Sequence, residues 1–161
     1  MSEHHEGMPG VVRTSLWILG IFVALMIGLT VYSKIALPVI AQTVTIGGRS
    51  HTVLVANTPT ARYQGLSGRT ADKLGAEGMM FTFGNSEERT FEMRGMLFSL
   101  DFLWVQNGSI VRIDENIQAP QKNEKPAQIS SKPASADTVF EFPAGFAARN
   151  GLRIGDRISG R

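Results

Sequence analysis

The sequence contains no cysteine, which excludes disulfides, thiol nucleophiles and cysteine-ligated zinc. This does not fix the compartment, because a domain large enough for its own core can do without disulfides. There is also no block of lysine or arginine. The 16 basic and 14 acidic residues leave a net charge of +2, and the basic ones are scattered without aromatic interleaving. A nucleic-acid surface wants a concentrated basic stripe, so no nucleic-acid partner is expected. Phosphate loops, dinucleotide fingerprints and zinc spacings are missing too, and no cofactor is expected. Histidine is scarce: His4 and His5 lie in the polar N-terminal tail (1–14), and His51 stands alone beyond it. A Ser-His-acid set would have to bring His51 to Ser67 or Ser99, and no nucleophile-elbow motif is present.

Charge is absent altogether from one stretch. Residues 15–33, SLWILGIFVALMIGLTVYS, carry none. As a helix they would rise ~28 Å, close to the hydrocarbon thickness of a bilayer. They show no polar face of the kind a soluble core helix keeps. Trp17 and Tyr32 sit near the two ends, where amphipathic rings favour the interface. The segment reads as an uncleaved signal-anchor. The competing reading is a long signal peptide cut after Ala41, with Val39 and Ala41 at the −3 and −1 positions. Either way the expected partner of this segment is the lipid bilayer. The expected place is a bacterial inner membrane, crossed once, with residues 43–161 facing the periplasm or exterior.

Those 119 residues suffice for one core. Thr43–Ile46 and Arg49–Val55 alternate polar and apolar around Gly47-Gly48, a hairpin pattern. Thr58 and Pro59 look like the N-cap and first residue of a helix running through Leu66 towards Gly68. Met79–Phe83 and Arg89–Met93 read as strands. Phe102–Gln106 and Ser109–Ile113 flank Asn107-Gly108, the strongest short hairpin signal. Gln118–Ala136 is Pro-, Lys-, Gln- and Ser-rich and reads as a long mobile loop. Thr138–Phe142 is a strand, Pro143–Asn150 a short helix with Gly151 at C′, and Leu152, Ile154 and Ile158 carry a last strand. The pattern predicts a β-rich α+β domain, a barrel-like or sandwich sheet of about seven short strands with two short helices.

Three segments in this order resemble a known family. They are Arg62–Arg69 (RYQGLSGR), Gly78–Phe81 continuing through Phe91-Glu92-Met93 to Leu100-Asp101, and Phe140–Phe146 (FEFPAGF) ending in Gly155-Asp156-Arg157. The chain resembles domain of unknown function 192 from about Val44 to Ile158. The resemblance implies a compact β-rich fold, frequent export or membrane tethering, and no established activity. Gly65, Leu66 and Arg69 match the family's Gly-Leu-x-x-Arg element, and Met93, Leu100 and Asp101 its middle motif. The chain departs where relatives usually have Trp (Glu92), Asn (Gly95), Thr (Met96) and Pro (Ser99). It also lacks the cysteine pair that many relatives carry in the long loop.

Asp101 opens an apolar strand, where a carboxylate is costly unless paired or hydrogen-bonded. It is either a ligand-facing acid partnered by Arg62, Arg69 or Arg94, or a structural cap on backbone N–H groups. Asp114-Glu115 reads as a solvated strand end, since adjacent strand residues point apart. Met79, Met80, Met93 and Met96 cluster with aromatics, as core filler or as soft ligands for Cu(I). The expectation is an envelope binding or accessory module with a small polar pocket at Arg62, Arg69, Met93, Arg94 and Asp101. Its ligand would be a small molecule or an envelope partner. The alternatives are an envelope hydrolase using Asp101 and a methionine-rich copper binder.

Overall fold

A computed structural model describes residues 17–26, 40–130, 132 and 134–160. The chain divides into two units, residues 1–38 and 39–161. In the first, residues 17–26 are helical (α1) and every one is exposed. Ten residues rise only ~15 Å. No described helix is long and apolar enough to cross a membrane. The spanning helix expected over 15–33 is therefore not present among the described residues; the tail 1–14, residues 15–16 and residues 27–33 lie outside them.

The described residues of the second unit form nine strands. β1 (Ala41–Ile46) and β2 (Arg49–Ala56) form the expected hairpin, with Gly47 and Gly48 at φ 56° and 82°. Thr58 caps α2 (Pro59–Gln64), its hydroxyl accepting from the Ala61 N–H at 3.1 Å. A 3₁₀ turn at Ala71–Lys73 follows. This crossover returns the chain to β3 (Gly78–Glu87), which lies parallel to β2. β4 (Thr90–Glu92), β5 (Leu100–Gln106) and β6 (Ser109–Ile117) come next. Asn107 and Gly108 turn between β5 and β6 at φ 50° and 77°, as the Asn-Gly pair predicts. β7 (Gln128–Ser130), β8 (Ala136–Pro143), α3 (Phe146–Asn150) and β9 (Ile158–Ser159) complete the order.

Seven strands make one mixed sheet in the order β6-β5-β8-β3-β2-β1-β9. The sheet curls until its edges meet. The Ile110 N–H donates to Asp156 O at 2.9 Å, and the Gly155 N–H to Ile110 O at 2.8 Å. Ser109 and Arg157 form a bridge. The seam removes part of the exposed edge that an open sheet would present. Of the expected last strand only Ile158–Ser159 pairs with β1. Ile154 is exposed, because Gly155 turns the chain there at φ 97°.

Alternation along the strands sorts side chains into two cores. Val53, Met80, Leu103, Val105, Phe140 and Phe142 pack on the face that α3 covers with Phe146 and Ala147. Leu54, Met79, Phe81, Phe102, Trp104 and Val139 pack on the other face. That second face needs a lid, and the sequence from 118 to 136 supplies part of it. The segment expected to be a mobile loop carries β7, which pairs with β4 and buries Ile129. Its polar composition hid one apolar residue on a three-residue strand.

Candidate functional site

β4, α2 and the turn that follows α2 stand over the second face and leave a cavity of about 430 Å³. Phe81, Phe83, Phe91 and Met96 line it with apolar surface, and Arg62, Tyr63, Arg89 and Arg94 are among its polar lining. Phe91 meets Phe81 edge to face at 5.0 Å, and Phe102 and Trp104 at 5.8 and 5.6 Å. These perpendicular contacts between quadrupoles favour a fixed wall.

One acid lines the cavity from the central sheet. Glu141 sits on β8 between Met79 of β3 and Phe102 of β5, its cross-strand partners. Its parity is opposite to Phe140 and Phe142, so it shares the face of Phe81 and Phe102. It is only 6% exposed. Its carboxyl forms no hydrogen bond or ion pair with any described residue. Burial pushes that carboxyl up from the ordinary 4.5 to about 8, so the neutral acid prevails at pH 7. Gly78 makes the close approach possible here. A Cβ at that position would stand 2.3 Å from the Glu141 carbonyl oxygen and 2.5 Å from the Phe142 ring. Only glycine lets β3 run this near β8.

The arginines are held off Glu141 by other bonds. Arg62 Nη1 donates to Asn57 O and Thr82 O at 3.0 and 2.9 Å, and its guanidinium lies 5.1 Å from the Phe83 ring centre. Arg89 lies 4.0 Å from the same ring. It donates to Glu87, Asn85 and Ala136 O. Arg94 stacks 4.2 Å over Tyr63 and donates to Tyr63 O at 2.9 Å. Arg62 Nε and Nη2, and Arg94 Nε and Nη1, make no hydrogen bond to any described residue. They remain available to an anion.

The structure brings together two of the five residues expected at the site, Arg62 and Arg94. The other three do not line the cavity. Met93 is buried in the second-face core. Arg69 is half-buried, and its Nε is enclosed with no hydrogen-bond partner among the described residues. Asp101 is fully buried, and its parity is that of Leu103 and Val105 on the opposite face. Its Oδ1 accepts from the Asn116 N–H at 2.8 Å and its Oδ2 from the Ala147 N–H at 2.9 Å. Asp101 thus ties β6 and the first turn of α3 to β5, which is the capping reading rather than the ligand-facing one. Asp101 exposes no surface and does not line the cavity, so it is not placed to meet a substrate there. Asp114 is not a solvated end either: it accepts from Trp104 Nε1 at 2.7 Å and pairs with Arg112 at 2.7 Å. The four methionines do not converge, since Met80 belongs to the opposite core from Met79, Met93 and Met96.

Glu141 was missed although its signal was present. Phe140-Glu141-Phe142 sets a carboxylate inside an apolar strand, the same anomaly that drew attention to Asp101. The difference between the two acids lies in their partners, which are far away in sequence.

The model of the family described as DUF192, Uncharacterized ACR, matches residues 42–160. The chain belongs to the domain of unknown function 192 family. The match covers the curled sheet from the second residue of β1 onward, and the cavity. No curated protein sequence matches. Two solved structures are similar. One, from Sinorhizobium meliloti 1021, is described as a "putative transcription regulator"; it is 31% identical, with a TM-score of 0.64, over 78% of this chain and 97% of that one. The other, a protein of unknown function from Novosphingobium aromaticivorans DSM 12444, is 27% identical, with a TM-score of 0.61, over 78% of this chain and 88% of that one. Against the family pattern, the departures at Glu92 and Met96 fall on cavity-lining residues. Gly95 takes φ 67° with Ser67 against it, a left-handed position that the usual Asn also tolerates.

Proposed function

We propose that this family member is a membrane-tethered, non-catalytic binding module of the cell envelope, whose cavity at Glu141 holds a small molecule. The observation that carries the reading is the carboxyl itself. A buried, unpartnered acid is costly, and one that lines a concave, aromatic-walled site is what a ligand site places there to fix orientation. Among the described residues no hydroxyl of the lining is hydrogen-bonded to Glu141 as a nucleophile to its base, and Ser67 Oγ donates instead to Arg94 O at 2.6 Å.

The site reading is tested with N,N′-dicyclohexylcarbodiimide, a small apolar reagent that attacks protonated carboxyls. The acid's proton passes to one carbodiimide nitrogen and its oxygen adds to the central carbon. The acyl group then shifts to nitrogen, leaving a stable N-acylurea with no atom lost. With the full chain in lipid nanodiscs at pH 7, mass spectrometry is expected to find the adduct on Glu141 ahead of every other carboxyl. An unlabelled Glu141 would mean the cavity admits no small molecule.

Tethering rests on the N-terminal sequence and on α1, whose ten successive uncharged residues all lie exposed. An exposed apolar run of this kind calls for lipid or a partner. The inner membrane, with the domain in the periplasm, is the proposed place. Protease added to intact spheroplasts is expected to degrade the domain. Complete protection, or recovery of the protein in the cytosolic fraction, would refute that place.

A further inference from the structure

We propose that the cavity ligand is a small amphiphilic acid. Its anionic head meets Arg62 and Arg94, and a neutral oxygen at its other end accepts a hydrogen bond from Glu141. The inference rests on the binding-site reading above and specifies its ligand. Three observations fix the class. The walls offered by Phe81, Phe83, Phe91 and Met96 are apolar, so the body of the ligand is apolar or aromatic. Arg62 and Arg94 keep unassigned N–H groups, while the other charges of the lining are compensated or exposed. Arg89 is bonded to Glu87, and Glu88 to Lys132. Glu92 is exposed. A cationic ligand would meet two guanidiniums not neutralised by any described carboxylate. The third observation is that Glu141 makes no hydrogen bond or ion pair to a described residue, and its cross-strand partners on β3 and β5, Met79 and Phe102, are apolar. Among the described residues the neutral acid is then the one side-chain hydrogen-bond donor lining the cavity from the central sheet.

The same geometry links binding to protons. The titratable and charged groups around Glu141 are Arg62 and Tyr63 on α2, Glu88, Arg89 and Glu92 at β4, and Arg94 after it. β3 and β5 face it with Met79 and Phe102. Deprotonating Glu141 removes the donor and sets a carboxylate against an acceptor oxygen.

The test uses four probes on one ring: 4-acetylbenzoate, 4-isopropylbenzoate, 4-acetylbenzamide and 4-acetylbenzylamine. Binding to the full chain in nanodiscs is followed by NMR of the methionine methyls. Met96 lines the cavity, and Met80, on the opposite face, serves as an internal control. At pH 7, 4-acetylbenzoate is expected to shift Met96 and to bind about tenfold tighter than each of the others, the scale of one charge-assisted hydrogen bond. Its affinity should fall about tenfold from pH 7 to pH 9. Glu141→Gln keeps an N–H donor and should bind the same probe without that pH dependence. The inference is overturned if the amide or the amine binds as tightly as the acid, if the isopropyl acid matches the acetyl acid, or if the pH dependence survives in Glu141→Gln. If no probe of any charge moves Met96, the binding-site reading itself fails.

Discussion

Asp101→Ala is expected to lower the stability of the domain by about 3–5 kcal/mol, with no direct loss at the cavity. Hydrogen bonds to a charged group contribute roughly 1.5–3 kcal/mol each, and a buried N–H left without an acceptor costs a further 1–3. Asp101 accepts two such bonds, from Asn116 and Ala147, at zero exposure. Domains of this size hold about 5–15 kcal/mol in all, so the variant stands near the edge of folding at 37 °C. Asp101→Asn discriminates a cap from a ligand-binding acid. The amide can accept one bond, but its NH₂ then confronts the second N–H. As a cap, Asn is expected to recover less than half of the loss. Urea denaturation of the full chain, followed by far-UV circular dichroism, measures both. A loss below about 1 kcal/mol for Asp101→Ala would remove the capping account.

These two bonds show where sequence reasoning stops. The hairpins at Gly47-Gly48 and Asn107-Gly108, the Thr58 cap and the left-handed Gly151 are local devices. Each is written in adjacent residues and each forms as read. The β-rich α+β class follows from them. The curl does not, because it depends on Gly155 and Asp156 reaching Ile110 across more than forty residues. β7 was concealed for a similar reason: its partner β4 is remote, and the intervening chain is polar. The two acids make the point most sharply. Asp101 and Glu141 each interrupt an apolar strand, and pattern alone cannot rank them. The fold decides, because Asp101 meets two N–H groups on the α3 side while Glu141 meets none on the cavity side. Arg62 and Arg94, expected as partners of Asp101, instead line the cavity on the other face, Arg62 from α2 and Arg94 from the turn after β4. Arg69 lies after the Gly68 turn and does not line it.

A buried acid without partners must also appear in the pH dependence of folding. Glu141→Gln is expected to stabilise the domain increasingly as pH rises from 4.5 to 8. In the folded chain the Glu141 carboxyl holds its proton up to about 8, against 4.5 ordinarily. Between those values the native state binds one proton more than the unfolded state, so stability falls as pH rises. The contribution of the neutral acid is fully present below pH 4.5 and is lost as pH passes through about 8. Each unit corresponds to ~1.4 kcal/mol, giving a difference on the order of 4 kcal/mol across the window. Glutamine has no such proton. Subtracting the wild-type stability curve from that of Glu141→Gln cancels every other titrating group. The difference should be near zero at pH 4.5 and climb to a plateau above pH 8. A flat difference would mean that Glu141 ionises at its ordinary pH. A difference of opposite sign would mean that a cation stabilises its carboxylate. Either result would leave the cavity without the neutral donor on which its preference for an acceptor oxygen depends.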